Sequence, residues 1–293
     1  MGWPAMTGWT KDLTTPIKMW LMRAMAAYRH AFRSCPISSV AIETSQHCNR
    51  RCGYCPVSIA PKPVQNISRD VFAAIIDQLR DLGFDGILKY HFFNEPLLNK
   101  DLEKLIAYAR SELPRARSIV YTNGDALTES RAVSLFRAGA QQLIVTNHGG
   151  RPSTEFILKA RRRVRWPWAK LVFRHITPAT FLFSRGGLVH VALKRQFSFC
   201  AYPAYEIVID ILGNVILCCN DYHGSQRFGN ILDVPLIQIW ESSRMVTLRA
   251  ELLRGTFKLD LCQKCVNGVQ PELPAEELVT LSSTPREVSM LRD

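Results

Sequence analysis

Three cysteines stand within eight residues near the start of the chain. They are Cys48, Cys52 and Cys55, in the sequence Cys-Asn-Arg-Arg-Cys-Gly-Tyr-Cys. Thiolates at this density bind zinc or iron–sulfur clusters. Structural zinc takes four ligands, and the nearest further donor, His47, directly precedes Cys48, which is a poor place to complete a tetrahedron. Three thiolates on a four-iron cluster instead leave one iron open, and that open iron is a reactive position.

A second group of thiols lies in the last third of the chain. Cys200 and Cys218 are followed much later by Cys262 and Cys265, which form a Cys-x-x-Cys pair. Four thiolates supplied in this way can hold zinc or an iron–sulfur cluster. Nine cysteines in separate groups do not match the disulfide framework of a small secreted protein. We therefore expect metal-bound thiolates in a reducing compartment, the cytoplasm.

An alternation of strands and helices must position these thiols. Apolar, β-prone segments predict strands at Ser39–Glu43, Gly86–Phe93, Arg117–Tyr121, Gln142–Val145 and Lys170–His175, with Leu188–Leu193 as a possible sixth. Periodic apolar positions predict helices between Ser68 and Gly83, at Asp101–Arg110, at Thr128–Ala138 and at 153–163. This alternation predicts an α/β fold with parallel strands in an open or closed barrel-like sheet. Ligands bind at the carboxyl ends of such strands.

The two ends of the chain and the region after Cys200 follow other patterns. Residues 17–33 predict a basic amphipathic helix, which we expect to dock on its own domain; contact with a membrane surface is the less favoured alternative. Glu206–Ile211 and Val215–Cys218 predict a β-hairpin, followed by short helices at about 234–241 and 243–254. No run of about 20 uncharged apolar residues predicts a transmembrane span.

The first cysteine group resembles the radical S-adenosylmethionine (SAM) superfamily, whose Cys-x3-Cys-x2-Cys loop follows the first strand of a partial (β/α)6 barrel. Tyr54 occupies the aromatic position that is typical before the last cysteine. The resemblance implies a [4Fe–4S] cluster on Cys48, Cys52 and Cys55, with SAM bound at the open iron. Electron transfer then cleaves SAM to methionine and a 5′-deoxyadenosyl radical, which abstracts hydrogen from the substrate.

Polar residues after the later strands look like the SAM-binding positions of this superfamily. Phe93-Asn94-Glu95 resembles its Gly-Gly-Glu segment, with both glycines replaced, and the resemblance implies that Glu95 contacts the amino group of SAM. The implied cofactor-binding residues are Tyr54, Asn94, Glu95, Asn123, Asn147 and Arg174. No motif identifies the base for an alcohol; His148, Arg174 and Arg185 are the candidates.

The C-terminal cysteines resemble the SPASM/twitch extension of radical SAM enzymes. Phe228-Gly229-Asn230-Ile231 and Ile239-Trp240, which lie between the cysteines, support this resemblance. A full SPASM domain needs further cysteines, and none follows Cys265. The resemblance thus implies the shorter twitch form, with one closed auxiliary [4Fe–4S] cluster on Cys200, Cys218, Cys262 and Cys265. The expected organisation is an extension at 1–37, the barrel at 38–195, the twitch domain at 196–268 and a tail at 269–293.

Cys219 and Cys35 fall outside these ligand sets. Cys219 is too close to Cys218 to reach the same metal easily. It can replace Cys218 as the ligand, pack as a small hydrophobe, or give a hydrogen atom to a substrate radical. Cys35 has no partner in the sequence, and we expect it to pack in the interior. The catalytic candidates are therefore Cys219, Arg174 and His148.

Twitch dehydrogenases of this superfamily oxidise a secondary alcohol to a ketone. The resemblance implies the same reaction on a carbohydrate or cyclitol, with the auxiliary cluster as electron acceptor and flavodoxin or ferredoxin as electron donor. The alternatives are an epimerase that uses Cys219 and a peptide maturase, for which 37 N-terminal residues make too short a recognition domain. The net charge of +12 raises a fourth possibility, a zinc-bearing nucleic-acid-binding protein. The chain lacks a reader motif, and no nucleic acid is expected.

Overall fold

The computed structural model describes residues 35–148, 169–177, 180–191 and 196–269. The predicted helices at 17–33 and 153–163 and the predicted tail lie outside the described residues, apart from Val269. Within those ranges, no helix is both long enough and apolar enough to cross a membrane.

In the part of the chain that the structure describes, eight strands form one sheet in the order β5-β4-β3-β2-β1-β6-β7-β8. The strands are β1 Ser39–Ile42, β2 Ile87–Lys89, β3 Arg117–Thr122, β4 Ala140–Asn147, β5 Lys170–His175, β6 Glu206–Ile209, β7 Asn214–Ile216 and β8 Arg227–Asn230. Strands β1 to β6 pair in parallel, whereas β7 and β8 continue the sheet as antiparallel strands. The six parallel strands confirm the predicted partial barrel.

Helices cover one face of this sheet. They are α1 Arg69–Asp81, α2 Leu102–Glu112, α3 Glu129–Ala138, α4 Tyr202–Tyr205, α5 Leu236–Glu241, α6 Ser243–Arg254 and α7 Asp260–Val266. Ser68 caps α1 by accepting a hydrogen bond from the Val71 N–H group, and Gly139 ends α3 at φ +118°. The apolar sides of α1, α2 and α3 pack against alternate strand residues, such as Val40, Leu88 and Val120, in one core. The other side chains of the strands therefore point to the opposite face, which we call the inner face.

The sixth parallel strand is β6, and the prediction for Leu188–Leu193 was wrong. Residues 188–191 form a turn and loop, and 192–195 lie outside the described residues. Glu206–Ile209 is buried along its whole length and pairs with the second edge of β1. The hydrophobic pattern of a short apolar segment does not show which strand it pairs with. The pattern therefore could not decide whether Leu188–Leu193 or Glu206–Ile209 forms the sixth parallel strand. The sheet consequently continues across the predicted domain boundary at 195/196.

Removal of a core side chain from β6 should destabilise the barrel and the C-terminal region together. Ile207 pairs with Val40 and is 0% exposed. We expect Ile207→Ala to lower the free energy of unfolding by about 2–5 kcal/mol. Guanidinium denaturation of the anaerobic holoenzyme, followed by circular dichroism, should show one shifted transition. Val246→Ala, at a side chain 46% exposed, should change stability by less than about 0.5 kcal/mol. Two transitions, of which only one moves, would contradict the single sheet.

Candidate functional site

The first three thiols lie in a loop that begins shortly after β1. The Cys55 N–H group donates to the Cys52 carbonyl at 2.8 Å, and Pro56 then starts a short 3-10 turn at Pro56–Ser58. Burial raises the pKa of the Cys48 and Cys55 thiols, and the charges of neighbouring thiols raise it further. The three cysteines are therefore close enough to influence one another, as ligands of one centre must be.

Hydrogen bonds from the turn after β3 hold this cysteine loop in place. Asp125 accepts hydrogen bonds from Arg50 Nε at 2.7 Å and from Asn49 Nδ2 at 2.8 Å. Asn123 Nδ2 donates to Asn49 Oδ1 at 2.8 Å and lies 3.9 Å from Cys48 Sγ. Asn123, a predicted SAM ligand, thus also positions the cysteine loop.

Glu95 provides a fixed, buried carboxylate beside the loop. Its Oε1 atom accepts from the Thr122 hydroxyl at 2.7 Å and from the Leu97 N–H group at 3.0 Å, and Oε2 accepts from the Asn123 N–H group at 2.7 Å. Burial raises the pKa of Glu95, and these hydrogen bonds oppose the rise. Its charge in turn raises the pKa of Cys48, so the carboxylate lies near the first thiol group.

The side-chain amide of Asn94 stabilises the turn that follows β2. Its Oδ1 atom accepts from the Phe92 N–H group, and its Nδ2 atom donates to Ser45 Oγ, both at 2.8 Å. The next residue back, Phe93, is buried against Tyr222 with ring centroids 4.9 Å apart. Side chains thus occupy the space that two glycines would leave open, and Asn94 supports the turn that presents Glu95.

Tyr54 and His148 form a pair across the mouth of the barrel. The Tyr54 hydroxyl lies 2.6 Å from His148 Nδ1, and the rings stack at 6.0 Å. Burial raises the pKa of Tyr54 and lowers that of His148, so the hydrogen bond joins a neutral phenol and a neutral imidazole. Asn147, directly before His148, is half-buried at the end of β4, where its carbonyl accepts from the Ile176 N–H group at 3.0 Å.

The inner face carries a buried ion pair between Lys89 on β2 and Glu206 on β6. Ser39, on the strand between them, donates to Glu206 Oε2 at 3.0 Å. Burial lowers the pKa of Lys89, but the charge of Glu206 and its hydrogen bond, together with the charges of Tyr121 and Cys219, raise the pKa by more, so Lys89 is a cation. Charges on this face of a barrel are costly unless they are paired or bind a ligand.

His91 extends this polar region towards Tyr121 and Arg174. The rings of His91 and Tyr121 are 4.2 Å apart, and the Arg174 guanidinium lies 5.9 Å from the Tyr121 ring. Burial, together with the charges of Lys89 and Arg185, lowers the pKa of His91 to about 3. Its Nδ1 atom is buried and has no hydrogen-bond partner within the described residues. We call Lys89, His91, Tyr121, Glu206 and Cys219 the inner pocket.

The second thiol group gathers at the other side of this pocket. Cys200, Cys218 and Cys262 pack against the same core. Burial raises the pKa of all four thiols, and the charge of Cys200 raises it further at Cys218, Cys262 and Cys265. These four predicted ligands therefore come together in the fold.

Cys219 faces the inner pocket. Burial and the charge of Glu206 raise the pKa of Cys219 to about 11, although the charges of Arg185 and Lys89 oppose the rise. The charge of Cys219 also raises the pKa of Cys200, Cys218 and Cys265, so Cys219 lies between the charged groups of the pocket and the second thiol group.

Arg185 lies between the two thiol groups. Its Nη1 atom donates to Asn220 Oδ1 at 2.8 Å, and its guanidinium lies 5.3 Å from the Phe93 ring. Its charge opposes the rise in pKa at both Cys55 and Cys265. The backbone of Arg185 has φ +54°, a left-handed conformation that is uncommon for residues other than glycine. Its Nε atom is buried without a hydrogen-bond partner in the described ranges.

Residues 218–222 connect the two sides of the pocket. Because β7 runs antiparallel to β6, Cys218 lies near the end of β6 that begins with Glu206. The Tyr222 hydroxyl donates to the Ala60 carbonyl, just beyond the first cysteine loop. This segment therefore spans the inner face from one thiol group to the other.

The donor atoms fit iron–sulfur clusters. Among the residues described, no three His, Cys, Asp or Glu side chains converge as they would around one metal ion. A tetrahedral zinc ion needs sulfurs about 3.8 Å apart, whereas thiolates on different irons of one cluster stand further apart. All-thiol sets of three and four are the ligands that such clusters use.

Comparison with known proteins identifies the family. The radical SAM superfamily model matches residues 42–177, and the iron–sulfur cluster-binding SPASM domain matches 200–266. The SAM-dependent 2-deoxy-scyllo-inosamine dehydrogenase of Niallia circulans is 33% identical over 248 residues, which cover 80% of this chain and 95% of that protein. The chain belongs to the radical SAM superfamily. It is an oxidoreductase that uses SAM and two [4Fe–4S] clusters, as the resemblance to this superfamily implied.

Solved structures agree with this assignment. BtrN in complex with AdoMet and 2-DOIA matches with a TM-score of 0.71 and 32% identity, over 81% of this chain and 96% of that one. BtrN in an open conformation matches with a TM-score of 0.62 and 31% identity, over 79% and 92%. The enzyme anSMEcpe with bound AdoMet is 16% identical, with a TM-score of 0.53 over 78% and 86%, and shows the shared fold alone.

The sequence prediction missed most of the inner pocket. Lys89 and His91 alternate with buried residues in Ile87-Leu88-Lys89-Tyr90-His91, and Glu206 starts a fully buried strand. A charged side chain inside a β-prone segment was the available signal, because such a group must be paired or functional. Nothing in the sequence showed that β2 and β6 flank β1.

Substitution of His91 should make the free energy of unfolding depend less steeply on pH below about pH 6.5. The folded protein keeps this imidazole neutral down to about pH 3, whereas an unfolded histidine gains a proton near pH 6.5. The unfolded state therefore binds more protons below pH 6.5, and the free energy of unfolding falls by up to about 1.4 kcal/mol per pH unit. Urea denaturation of SAM-free holoenzyme between pH 6.5 and 5 should show a smaller slope for His91→Gln. The two profiles should run parallel above pH 7; equal slopes below pH 6.5 would contradict a neutral buried His91.

Proposed function

We propose that this enzyme oxidises a secondary alcohol of a carbohydrate or cyclitol to a ketone. The observation that carries the proposal is the position of the inner pocket, whose member Cys219 adjoins the second thiol group while Arg185 lies near both groups. A substrate in this pocket is within reach of both clusters. The similarity to 2-deoxy-scyllo-inosamine dehydrogenase supports a polyhydroxylated ring as the substrate class.

The ligand sets proposed from the sequence suit the geometry. Cys48, Cys52 and Cys55 bind the SAM cluster through three thiolates in one loop. The auxiliary cluster is bound by Cys200, Cys218, Cys262 and Cys265. The choice of Cys218 over Cys219 is supported by their charged neighbours, since Glu206, Arg185 and Lys89 act on the Cys219 thiol, whereas the charged groups that act most on Cys218 are other thiols.

SAM binds beside the first loop in this proposal. Glu95 is a fixed carboxylate for its ammonium group, and such a charge-assisted hydrogen bond is among the stronger polar contacts. Tyr54, paired with His148, presents an aromatic face at the mouth, and Arg174 supplies a cation for the carboxylate. Asn94, Asn123 and Asn147 act from the strand ends, the first two by holding Glu95 and the cysteine loop in place.

The inner pocket orients the alcohol. When bound, SAM and its cluster would supply the 5′-deoxyadenosyl radical that removes the carbinol hydrogen atom, and the auxiliary cluster would accept one electron. The hydroxyl proton leaves through the hydrogen bond that His91 Nδ1 accepts. Arg185 Nε donates to the substrate oxygen, and the neutral His91 Nδ1 accepts a hydrogen bond from a hydroxyl group; both atoms lack partners within the described chain. The Lys89–Glu206 pair offers a cation and an anion to further hydroxyl groups on the ring.

The electron that cleaves SAM comes from outside the chain in this proposal. A flavodoxin or ferredoxin is the donor, because the SAM cluster needs a low-potential reductant. None of the nine cysteines, all of which lie in the described ranges, forms a disulfide. Cytoplasmic localisation follows, since thiolate ligands need a reducing compartment.

Removal of the auxiliary ligands should separate SAM cleavage from substrate oxidation. Dithionite-reduced enzyme is given SAM and 2-deoxy-scyllo-inosamine deuterated at the carbinol carbons. We expect deuterated 5′-deoxyadenosine and ketone in equal amounts. Cys262→Ala/Cys265→Ala should fall from about eight irons to about four, keep SAM cleavage and lose the ketone. Cys35→Ala, at a buried cysteine outside both sets, should keep all three properties. Full ketone formation without the auxiliary cluster would refute the mechanism.

The position of Cys219 favours one second candidate, epimerisation of the same class of substrate. A thiol in the inner pocket can return a hydrogen atom to the opposite face of the substrate carbon. The thiol is neutral at physiological pH because burial raises its pKa to about 11, and it therefore holds the hydrogen that an epimerase would donate.

Cys219→Ala in D2O distinguishes the two reactions. As a dehydrogenase, the enzyme should form ketone and no alcohol that carries solvent deuterium at the reacting carbon, and Cys219→Ala should retain this activity because the thiol takes no part in electron acceptance. Mass spectrometry and NMR of the product provide the measurement. An inverted alcohol that carries one deuterium, lost in Cys219→Ala while SAM cleavage persists, would establish the epimerase instead.

A further inference from the structure

Asn220 directs two N–H groups at sulfur atoms of the second thiol group. Its backbone N–H group donates to Cys218 Sγ at 3.4 Å, and its side-chain Nδ2 atom lies 3.5 Å from Cys265 Sγ. The residue is 3% exposed. One buried side chain thus joins two cysteines that are 47 positions apart in the chain.

Arg185 determines which way the Asn220 amide points. Its Nη1 atom donates to Asn220 Oδ1 at 2.8 Å, and a guanidinium group can only donate hydrogen bonds. The oxygen of the amide must therefore face Arg185, and its NH2 group must face Cys265. A reversed amide would place two donors together and turn its oxygen towards the sulfur.

Hydrogen bonds to cluster sulfurs change the reduction potential of the cluster. They withdraw electron density from the thiolates and stabilise the reduced state, which carries more negative charge. The effect is larger in a buried site, where water does not compete. Two such bonds from one residue, with a cation behind it, raise the potential.

We propose that Asn220, oriented by Arg185, raises the reduction potential of the auxiliary cluster and so makes it a better electron acceptor. The inference rests on the proposed ligand set, Cys200, Cys218, Cys262 and Cys265. It assigns to Asn220 a positioning and electronic role. It also gives Arg185 an effect on the cluster besides its contact with the substrate.

The test is an anaerobic redox titration followed by EPR. The full chain with Cys48→Ala, Cys52→Ala and Cys55→Ala leaves only the auxiliary cluster to be observed. In this background, Asn220→Leu removes the side-chain donor and keeps a similar volume, and Asn220→Asp keeps the shape and adds a negative charge. We expect lower midpoint potentials in both, at least equal to a tenfold loss in the electron-transfer equilibrium constant, or about 59 mV. Arg185→Met should shift the potential in the same direction.

The matched control is Asn267→Leu, an exposed asparagine two positions after Cys265. Its potential should equal that of the parent. Unchanged potentials in Asn220→Leu and in Asn220→Asp, each with four irons bound, would overturn the inference and leave the proposed function standing. Should the parent itself bind no iron, the proposed ligand set fails, and the inference fails with it.

Discussion

The pairing of β1 along both edges is the constraint on which the rest of the structure depends. β1 is buried along its whole length and pairs in parallel with β2 on one side and with β6 on the other. The first cysteine loop follows its carboxyl end, and in the second thiol group Cys200 precedes the hairpin of β6 and β7 while Cys218 follows it. A single strand thereby fixes the separation of two centres whose ligands are about 150 residues apart in sequence.

The inner face of the sheet carries polar and charged side chains, unlike the face that the helices cover. Helices α1 to α3 pack against one side of the sheet and bury the apolar side chains on that side of its strands. The opposite side carries Lys89, Glu206 and His91, which cost free energy when they are desolvated without partners. The ion pair and Ser39 offset part of this cost, and the atoms left over are the ones available to a polar ligand.

Local patterns were enough to predict the two cysteine groups, the parallel α/β core and most helices. The Ser68 cap, the apolar face of α1 and the segment of α6 at 243–254 were all legible, because capping and periodicity act within a few residues. The sixth strand was misplaced, and β8 and α7 were not predicted. The inner pocket also escaped prediction, because it joins residues from β2, β3 and β6, and such contacts depend on strand order that no short segment encodes. The hydrogen bonds of Asn94 and Asn123 show that both residues also hold backbone segments in place, which the sequence did not predict.

The left-handed backbone of Arg185 affects which substitutions would stabilise the protein. A residue with a Cβ atom at φ +54° is less stable than glycine would be at the same place, and two glycines follow it directly. Glycine at position 185 would relieve the strain but would remove the guanidinium from Phe93 and Asn220. Position 185 is therefore one where selection for thermal stability and selection for chemistry oppose each other.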